Sequence, residues 1–148
     1  MNELWSRSLA KIYDGKLEDF KRLAEDLLST IREHDSETLN YAIFLDEPGR
    51  VAVIIAQYAS SAGWLAHNAN LGPLMPHFPE VCEVTAIEFY GDPTPEARAA
   101  LVRSSLGMDT GREKAGIKVI HRAAAVVEPS RSDWEEGCYG RWNAAPFT

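Results

Sequence analysis

The strongest constraint on the fold is a pair of β-rich segments, 38–46 and 50–58, that a short turn separates. A Pro-Gly pair between two such segments is typical of an antiparallel hairpin. The sequence predicts a type II turn with Pro48 at the first central position and Gly49 at the second. The second segment is apolar on both sides, with Val51, Val53 and Ile55 alternating with Ala52, Ile54 and Ala56. Both faces of the predicted hairpin therefore need a cover.

Two kinds of periodicity divide the rest of the chain. Segment 16–34 repeats apolar residues at steps of three and four, which indicates an amphipathic helix. Segment 81–90 is rich in β-branched and aromatic residues, which favour a strand. Ser60 or Ser61 can begin a second helix, because a serine side chain accepts a hydrogen bond from a free N–H group. The predicted order is strand 4–13, helix 16–34, strands 38–46 and 50–58, helix 61–70, strand 81–90 and a short helix after Thr94.

This order predicts an α+β fold of the ferredoxin-like βαββαβ type. Four strands form one antiparallel sheet, and the helices lie on one face of it. We assign residues 1–104 to this domain. Residues 105–148 are predicted to be an irregular or loosely packed C-terminal extension, because several glycines and the segment Glu-Pro-Ser-Arg-Ser-Asp break any period.

Helices on one face leave the other face of the predicted sheet without a cover. Segment 50–58 is apolar on that face as well. Either a second sheet or the C-terminal tail must cover it, and a second copy of the chain is the simplest cover, because most soluble oligomers are symmetric assemblies of one chain. The sequence therefore predicts a homodimer.

Charge and composition exclude several classes of partner. A net charge of −7 and a pI near 5.1 argue against nucleic acid, whose phosphates require a basic surface. The longest apolar run, 51–56, is far shorter than the about 20 residues of a membrane span. The first residues lack the basic and apolar regions of a secretory signal. Cys82 and Cys138 have no metal-like spacing, so we expect free thiols in a reducing cytoplasm.

Trp64 and His67 are the candidate functional residues that the spacing supports. They are three residues apart, so a helix places both on one face. An aromatic ring beside a titratable imidazole, at the end of a sheet, is the one constellation that indicates chemistry. The sequence lacks His-x₃-His metal spacing, a Gly-x-Gly-x-x-Gly phosphate loop and a Ser-His-Asp pattern. The structural alternative is a histidine that bonds to a backbone carbonyl group.

Four pieces of the sequence carry a family resemblance. They are Gly-Lys-Leu-Glu-Asp-Phe-Lys-Arg-Leu-Ala from Gly15, Thr-Leu-Asn-Tyr from Thr38, His-Asn-Ala-Asn-Leu-Gly-Pro-Leu-Met from His67, and Gly-Asp-Pro-Thr-Pro-Glu from Gly91. The chain here resembles the antibiotic biosynthesis monooxygenase family, in particular members described as quinol monooxygenases. The similarity covers residues 8–103, about two-thirds of the chain. It implies a dimeric α/β barrel, in agreement with the homodimer predicted above.

The resemblance also implies an activity, because members of this family include oxygenases that use neither metal nor flavin. A small phenol or hydroquinone is deprotonated in an apolar pocket and itself reduces O₂, without a cofactor. The resemblance makes His67 the base, since an imidazole titrates near pH 6.5. Trp64 would stack on the planar substrate, and Tyr41 and Asn68 would hydrogen-bond its oxygens. His77 is a further candidate for substrate binding.

Other functions stay open at this stage. The chain could be a dimeric barrel that binds an apolar molecule without turning it over, or a small-molecule isomerase of the same family. The haem-degrading members are a poor match, because Trp64 lies only three residues before His67 and the first predicted strand contains no Asn. Oxygen consumption with hydroquinones would separate an oxygenase from a binding protein.

Overall fold

A computed structural model of the chain describes residues 3–106 and 116–120. The strands and helices that the sequence predicts occur in the predicted order, with one more strand at the end. The elements are β1 (Leu4–Ile12), α1 (Leu17–His34), β2 (Thr38–Leu45), β3 (Val51–Tyr58), α2 (Ser61–Leu71), a 3-10 turn (Met75–His77), α3 (Phe78–Val81), β4 (Cys82–Tyr90), α4 (Pro95–Leu106) and β5 (Gly116–Ile120).

The sheet has the strand order β2-β3-β1-β4-β5. The pairs β2–β3, β3–β1 and β1–β4 are antiparallel, so the predicted α+β, ferredoxin-like arrangement with a four-stranded antiparallel sheet is confirmed. Strand β5 adds to it in parallel to β4, with Tyr90 opposite Ile120. The rest of the predicted extension, 107–115 and 121–148, lies outside the described residues. The boundary at residue 104 and the loose packing of the extension stay predictions.

Helix α1 is the amphipathic helix that the sequence predicts. Its apolar side is buried against the sheet, and two acidic residues in the first turn match the positive end of the helix dipole. The preceding strand, β1, lies at the centre of the sheet, so that the helix returns along the strands it covers. The buried residues of α1 are Phe20, Leu23, Ala24, Leu27 and Ile31.

The hairpin turn between β2 and β3 differs from the predicted type II turn. The N–H group of Gly49 donates to the carbonyl oxygen of Asp46 at 2.9 Å, which puts Pro48 at the second central position and not the first. The Asp46 carboxylate accepts further bonds from the N–H groups of Arg50 and Val51, at 2.7 and 2.9 Å. These bonds close the turn one residue earlier than expected. Gly49 has a φ of +67°, which favours glycine, but it is the last residue of the turn and not a central one.

Side chains of the strands alternate between two faces of the sheet. We call the face beneath the helices the covered face, and it carries Ser6, Ser8, Ala10, Ile54 and Tyr58. We call the opposite face the open face, and it carries Trp5, Leu9, Phe44, Val53 and Ile55. Trp5 is 40% exposed and Phe44 is 39% exposed. The hairpin is therefore apolar on both faces, as the sequence predicts.

Within the described residues, the helices are too short or too polar for a membrane span. Cys82 is a buried free thiol at the start of β4, whereas Cys138 lies outside the described residues. Burial raises the pKa of the Cys82 thiol to about 11, so it stays protonated at neutral pH.

Candidate functional site

A cavity of about 530 Å³ lies between the covered face and the helices. Its floor includes Ser6, Ser8 and Ala10 of β1, the central strand of the sheet. These side chains are too small to fill the space beneath the helices, which explains why a cavity remains there. The opposite wall is formed by residues of three helices, namely Phe20, Ala24 and Leu27 of α1, Trp64, His67, Asn68 and Leu71 of α2, and Leu101 of α4.

The cavity opens to solvent at one end. Tyr13, Met75, Pro76 and Pro79 line it and are exposed, whereas the lining residues near α2 are mostly buried. Among the described lining residues there is no Lys or Arg, and the one acidic residue, Glu83, pairs with Lys11 in the register of the open face. The cavity is thus suited to an uncharged, largely apolar molecule that enters past Tyr13.

His67 lies in the wall of this cavity and is only 4% exposed. Ser60 caps α2 by accepting a 3.1 Å hydrogen bond from the N–H group of Gly63, and this cap fixes the start of the helix that carries His67. Nδ1 of His67 lies 2.5 Å from Oδ2 of Asp35. A carboxylate only accepts hydrogen bonds, so Nδ1 carries the proton and Nε2 keeps its lone pair.

Asp35 is the residue that ends α1, and its side chain is 2% exposed. Besides His67, it accepts hydrogen bonds from Asn70 Nδ2 at 2.6 Å and from Thr38 Oγ1 at 2.9 Å. Burial by itself raises the pKa of Asp35, but the bonds from Asn70, His67 and Thr38 together outweigh it and hold the pKa below its usual value. Asp35 is therefore a fixed carboxylate that orients the imidazole.

The pKa of His67 is lowered, because burial disfavours the charged imidazolium more than Asp35 stabilises it. The imidazole is therefore neutral at pH 7. A neutral ring whose Nδ1–H donates to a carboxylate can accept a proton at Nε2, which makes no hydrogen bond to any residue that the structure describes. The geometry thus provides a general base.

Two tyrosines flank the imidazole. The ring centroid of His67 lies 5.4 Å from that of Tyr41 and 5.1 Å from that of Tyr58. Burial raises the pKa of both phenols well above the usual value, although a hydrogen bond from Ser6 opposes the shift at Tyr58. Both hydroxyl groups therefore stay protonated and can donate a hydrogen bond inside the cavity.

Trp64 and Asn68 complete the wall next to His67. Trp64 is 4% exposed and packs edge to face on Phe89, with 5.4 Å between ring centroids and 83° between the rings. It belongs to the core and also lines the cavity. Nδ2 of Asn68 is buried without a hydrogen-bond partner among the described residues. An unpaired buried donor in a cavity wall fits an oxygen atom of a ligand.

The structure brings together four of the five residues that the sequence singled out, namely Tyr41, Trp64, His67 and Asn68 around one cavity. His77 does not line this cavity. Its side chain is 58% exposed and lies 3.6 Å from Glu80. The sequence analysis missed Asp35, Asn70 and Tyr58. Two of these had a signal, because Asn70 is three residues after His67 on one helix face and Tyr58 continues the apolar alternation of β3.

His67 bonds to a carboxylate and not to a backbone carbonyl group, which was the structural alternative considered for it. Among the described residues, no group of three or more His, Cys, Asp and Glu side chains is placed to hold a metal ion. The chemistry that the described side chains can provide is therefore proton transfer and hydrogen bonding inside an apolar space.

Solved structures of other proteins share this fold. MupZ from Pseudomonas fluorescens superposes with a TM-score of 0.66 at 15% identity, over 88% of this chain and 98% of MupZ. A proposed antibiotic biosynthesis monooxygenase from Bacteroides thetaiotaomicron gives 0.53 at 18%, over 64% of this chain and 90% of that one. SnoaB from Streptomyces nogalater, a cofactor-independent oxygenase, gives 0.54 at 9%, over 64% and 96%.

No protein-family profile matches the sequence, and no curated protein matches it. The structural likeness nevertheless bears out the fold that the sequence resemblance implied, since the chain has the fold of antibiotic biosynthesis monooxygenases. At identities of 9–18%, the likeness shows the fold alone. Any activity has to be argued from the cavity.

Proposed function

We propose that this protein is a cofactor-independent monooxygenase that acts on a small aromatic substrate of the phenol or hydroquinone type. The observation that carries the proposal is the pairing of His67 with Asp35 in the wall of a largely apolar cavity. A buried base with a fixed tautomer suits the removal of a phenolic proton. The fold is also that of SnoaB, which is a cofactor-independent oxygenase.

In the proposed reaction, Nε2 of His67 takes the phenolic proton, and Asp35 stabilises the resulting imidazolium through Nδ1–H. The phenolate transfers an electron to O₂, the two radicals combine to form a C–O bond and a peroxide anion, and Nε2 of His67 returns its proton to this peroxide. Loss of water from the peroxide leaves a C=O group in place of a ring C–H group. One oxygen atom enters the product, the other leaves as water, and the substrate supplies all four electrons.

The other wall residues hold the substrate in this proposal. Trp64 provides a flat apolar surface for the aromatic ring. The free Nδ2 donor of Asn68 and the protonated hydroxyl of Tyr41 bond to substrate oxygens. The few polar groups in the wall and the apolar remainder limit the water near the phenolate, which keeps the base effective. His77 has no part here, because its side chain is exposed.

We also propose that the chain forms a homodimer through the open face and works in the cytoplasm. On the open face, Leu9, Val53 and Phe44 lie side by side across β1, β3 and β2, and Trp5 lies on the same face of β1, four residues before Leu9. Apolar residues of this size on one exposed face are typical of a contact between chains. The buried free thiol of Cys82 is compatible with a reducing compartment.

A proton-transfer isomerase is the second candidate, and the two tyrosines favour it. Tyr41 and Tyr58 stay protonated beside His67 and can donate to a carbonyl oxygen of a substrate. His67 would then move a proton between two carbon atoms of the resulting enol or dienol, and no O₂ is used. Simple binding of an apolar molecule explains less, because such a protein gains nothing from burying the Asp35 carboxylate.

The oxygenase proposal is tested by O₂ uptake with a panel of phenols, hydroquinones and naphthalenediols, corrected for uptake without protein. We expect His67→Asn to lower turnover about 10²–10⁴-fold. The amide nitrogen of an asparagine occupies roughly the place of Nδ1, so this change keeps a donor to Asp35 and removes the base. The melting temperature should change little. His77→Asn, an exposed histidine, is the matched control and should keep full turnover.

Turnover of His67→Asn within about threefold of wild type would contradict the role of His67 as base. If no member of the panel increases O₂ uptake, the oxygenase proposal falls. Exchange of a substrate C–H for deuterium from D₂O under argon, dependent on His67, would then favour the isomerase.

A further inference from the structure

Strand β1 places two hydroxyl groups on the floor of the cavity, from Ser6 and Ser8. Residues i and i+2 of a strand point to the same face and are about 7 Å apart. Ser6 bonds to Tyr58, whose ring lies beside His67, so Ser6 belongs to the reacting end of the cavity. Ser8 lies one step further along β1, toward Tyr13 and the opening.

The neighbours of Ser8 on the covered face are apolar. In the strand register, Ser8 pairs with Ile54 on one side and with Ile87 on the other, and both isoleucines line the cavity. The hydroxyl of Ser8 makes no hydrogen bond to another described side chain or backbone group. Ser8 is half-buried and lines the cavity, so its hydroxyl is available to a polar atom of a ligand.

We propose that Ser8 is a specificity-determining residue that hydrogen-bonds a second oxygen atom of the substrate. This inference rests on the proposed function, in which the first oxygen lies at His67. Ser8 lies about 7 Å further along β1 than Ser6, so the second oxygen lies closer to the opening than the first. The preferred substrate is therefore an aromatic molecule with a second oxygen function on the side of the opening.

The charge of the cavity defines the second oxygen further. No Lys or Arg side chain is among the described lining residues, and Glu83 is near the opening. A carboxylate or a phosphate at this point would have no counter-charge among these lining residues. The hydroxyl of Ser8 both donates and accepts. The second oxygen is thus a neutral hydroxyl or carbonyl group.

The test uses two probes that differ in one hydroxyl group, naphthalen-2-ol and naphthalene-2,6-diol, titrated by calorimetry under argon. Wild type should bind the diol about 3- to 10-fold more tightly than the mono-ol. In Ser8→Ala, the preference should fall to about twofold, which the two equivalent ends of the diol give by themselves, because the diol binds more weakly and the mono-ol binds as before. Ser29→Ala, an exposed serine of α1, is the matched control and should keep the preference.

Ser8→Ala should fold normally, because Ala fits the strand and no protein hydrogen bond is lost, and a thermal melt checks this. Equal affinity of wild type for both probes would overturn the role of Ser8, and so would an unchanged preference in Ser8→Ala. Either result leaves the aromatic site itself standing, since the mono-ol still binds. If wild type binds neither probe, both the aromatic site and the Ser8 inference are overturned.

Discussion

The two faces of the sheet are both apolar, but they differ in the size of their side chains. On the covered face, β1 carries Ser6, Ser8 and Ala10, and a cavity of about 530 Å³ lies above them. On the open face, the same strand carries Trp5, which is 40% exposed. Small residues under a layer of helices leave a space for a ligand, whereas large, partly exposed apolar residues offer a surface to another chain.

The polar groups of the two faces differ in how deeply they are buried. On the covered side, His67 and Asp35 have side chains that are 5% and 2% exposed, and hydrogen bonds hold the carboxylate in one orientation. On the open face, Arg7 and Glu88 form an ion pair at 3.2 Å with side chains 40% and 25% exposed. Ion pairs with such exposure contribute little to stability. Buried polar groups are costly, so their presence on one side indicates a function.

The largest effect is expected on the covered side. Trp64→Ala should lower the free energy of unfolding by about 3–5 kcal/mol, because the ring is 4% exposed and packs on Phe89. Trp5→Ala, on the open face, is the matched control and should cost about 1 kcal/mol or less in dilute protein. Urea denaturation at one low concentration measures both. Equal losses would show that the open face is buried within a single chain.

A smaller effect, on the dissociation constant of the dimer, is expected from a substitution on the open face. Val53→Glu places a charge at the centre of the apolar row that Val53 forms with Leu9 and Phe44. We expect the dissociation constant of the dimer to rise about 100-fold or more, because the contact would bury an unpaired carboxylate. Ser29→Glu adds the same charge to an exposed position of α1 and should leave the dimer intact.

Light scattering at micromolar concentration gives the mass of each variant. A dimeric mass for Val53→Glu would show that the contact lies elsewhere. A monomeric wild type would overturn the homodimer itself.

The elements of the fold were predictable because their signals are local. The period of α1 and the alternation in β3 are visible within 8 to 18 residues, and both predictions are confirmed. The hairpin turn was predicted wrongly, since the Asp46 carboxylate, and not the preference of Pro48, decides where the turn closes. Strand β5 has a weak local pattern, and its partner β4 lies far away in sequence.

The site was predictable only in part. The spacing of Trp64 and His67 placed both on one helix face, and the structure puts both in the cavity wall. Asp35 was missed, because it reaches His67 across 32 positions of sequence and lies in no motif. Its place follows from how α1 and α2 pack side by side. Contacts of this kind depend on the packing of helices, which periodicity does not define.

The smallest predicted effect is the dependence of stability on pH that results from the burial of His67 on the covered side. Burial lowers the pKa of His67 in the folded chain, whereas the unfolded chain has the usual value of about 6.5. Below pH 6.5 the unfolded state therefore binds a proton that the folded state does not, and stability falls as the pH falls toward the folded pKa. Asp35, whose pKa is also lowered, adds a loss only below about pH 4.

Wild type should therefore be about 1 kcal/mol less stable at pH 5.5 than at pH 7. Removal of the imidazole in His67→Asn should abolish most of this difference, whatever its effect on stability at pH 7. His77→Asn, an exposed histidine, should keep it. Urea denaturation of the three proteins at both pH values measures the difference. If stability rises toward pH 5.5, the pKa of His67 is raised and not lowered in the folded chain, and the imidazolium that Asp35 stabilises would contradict the neutral buried base.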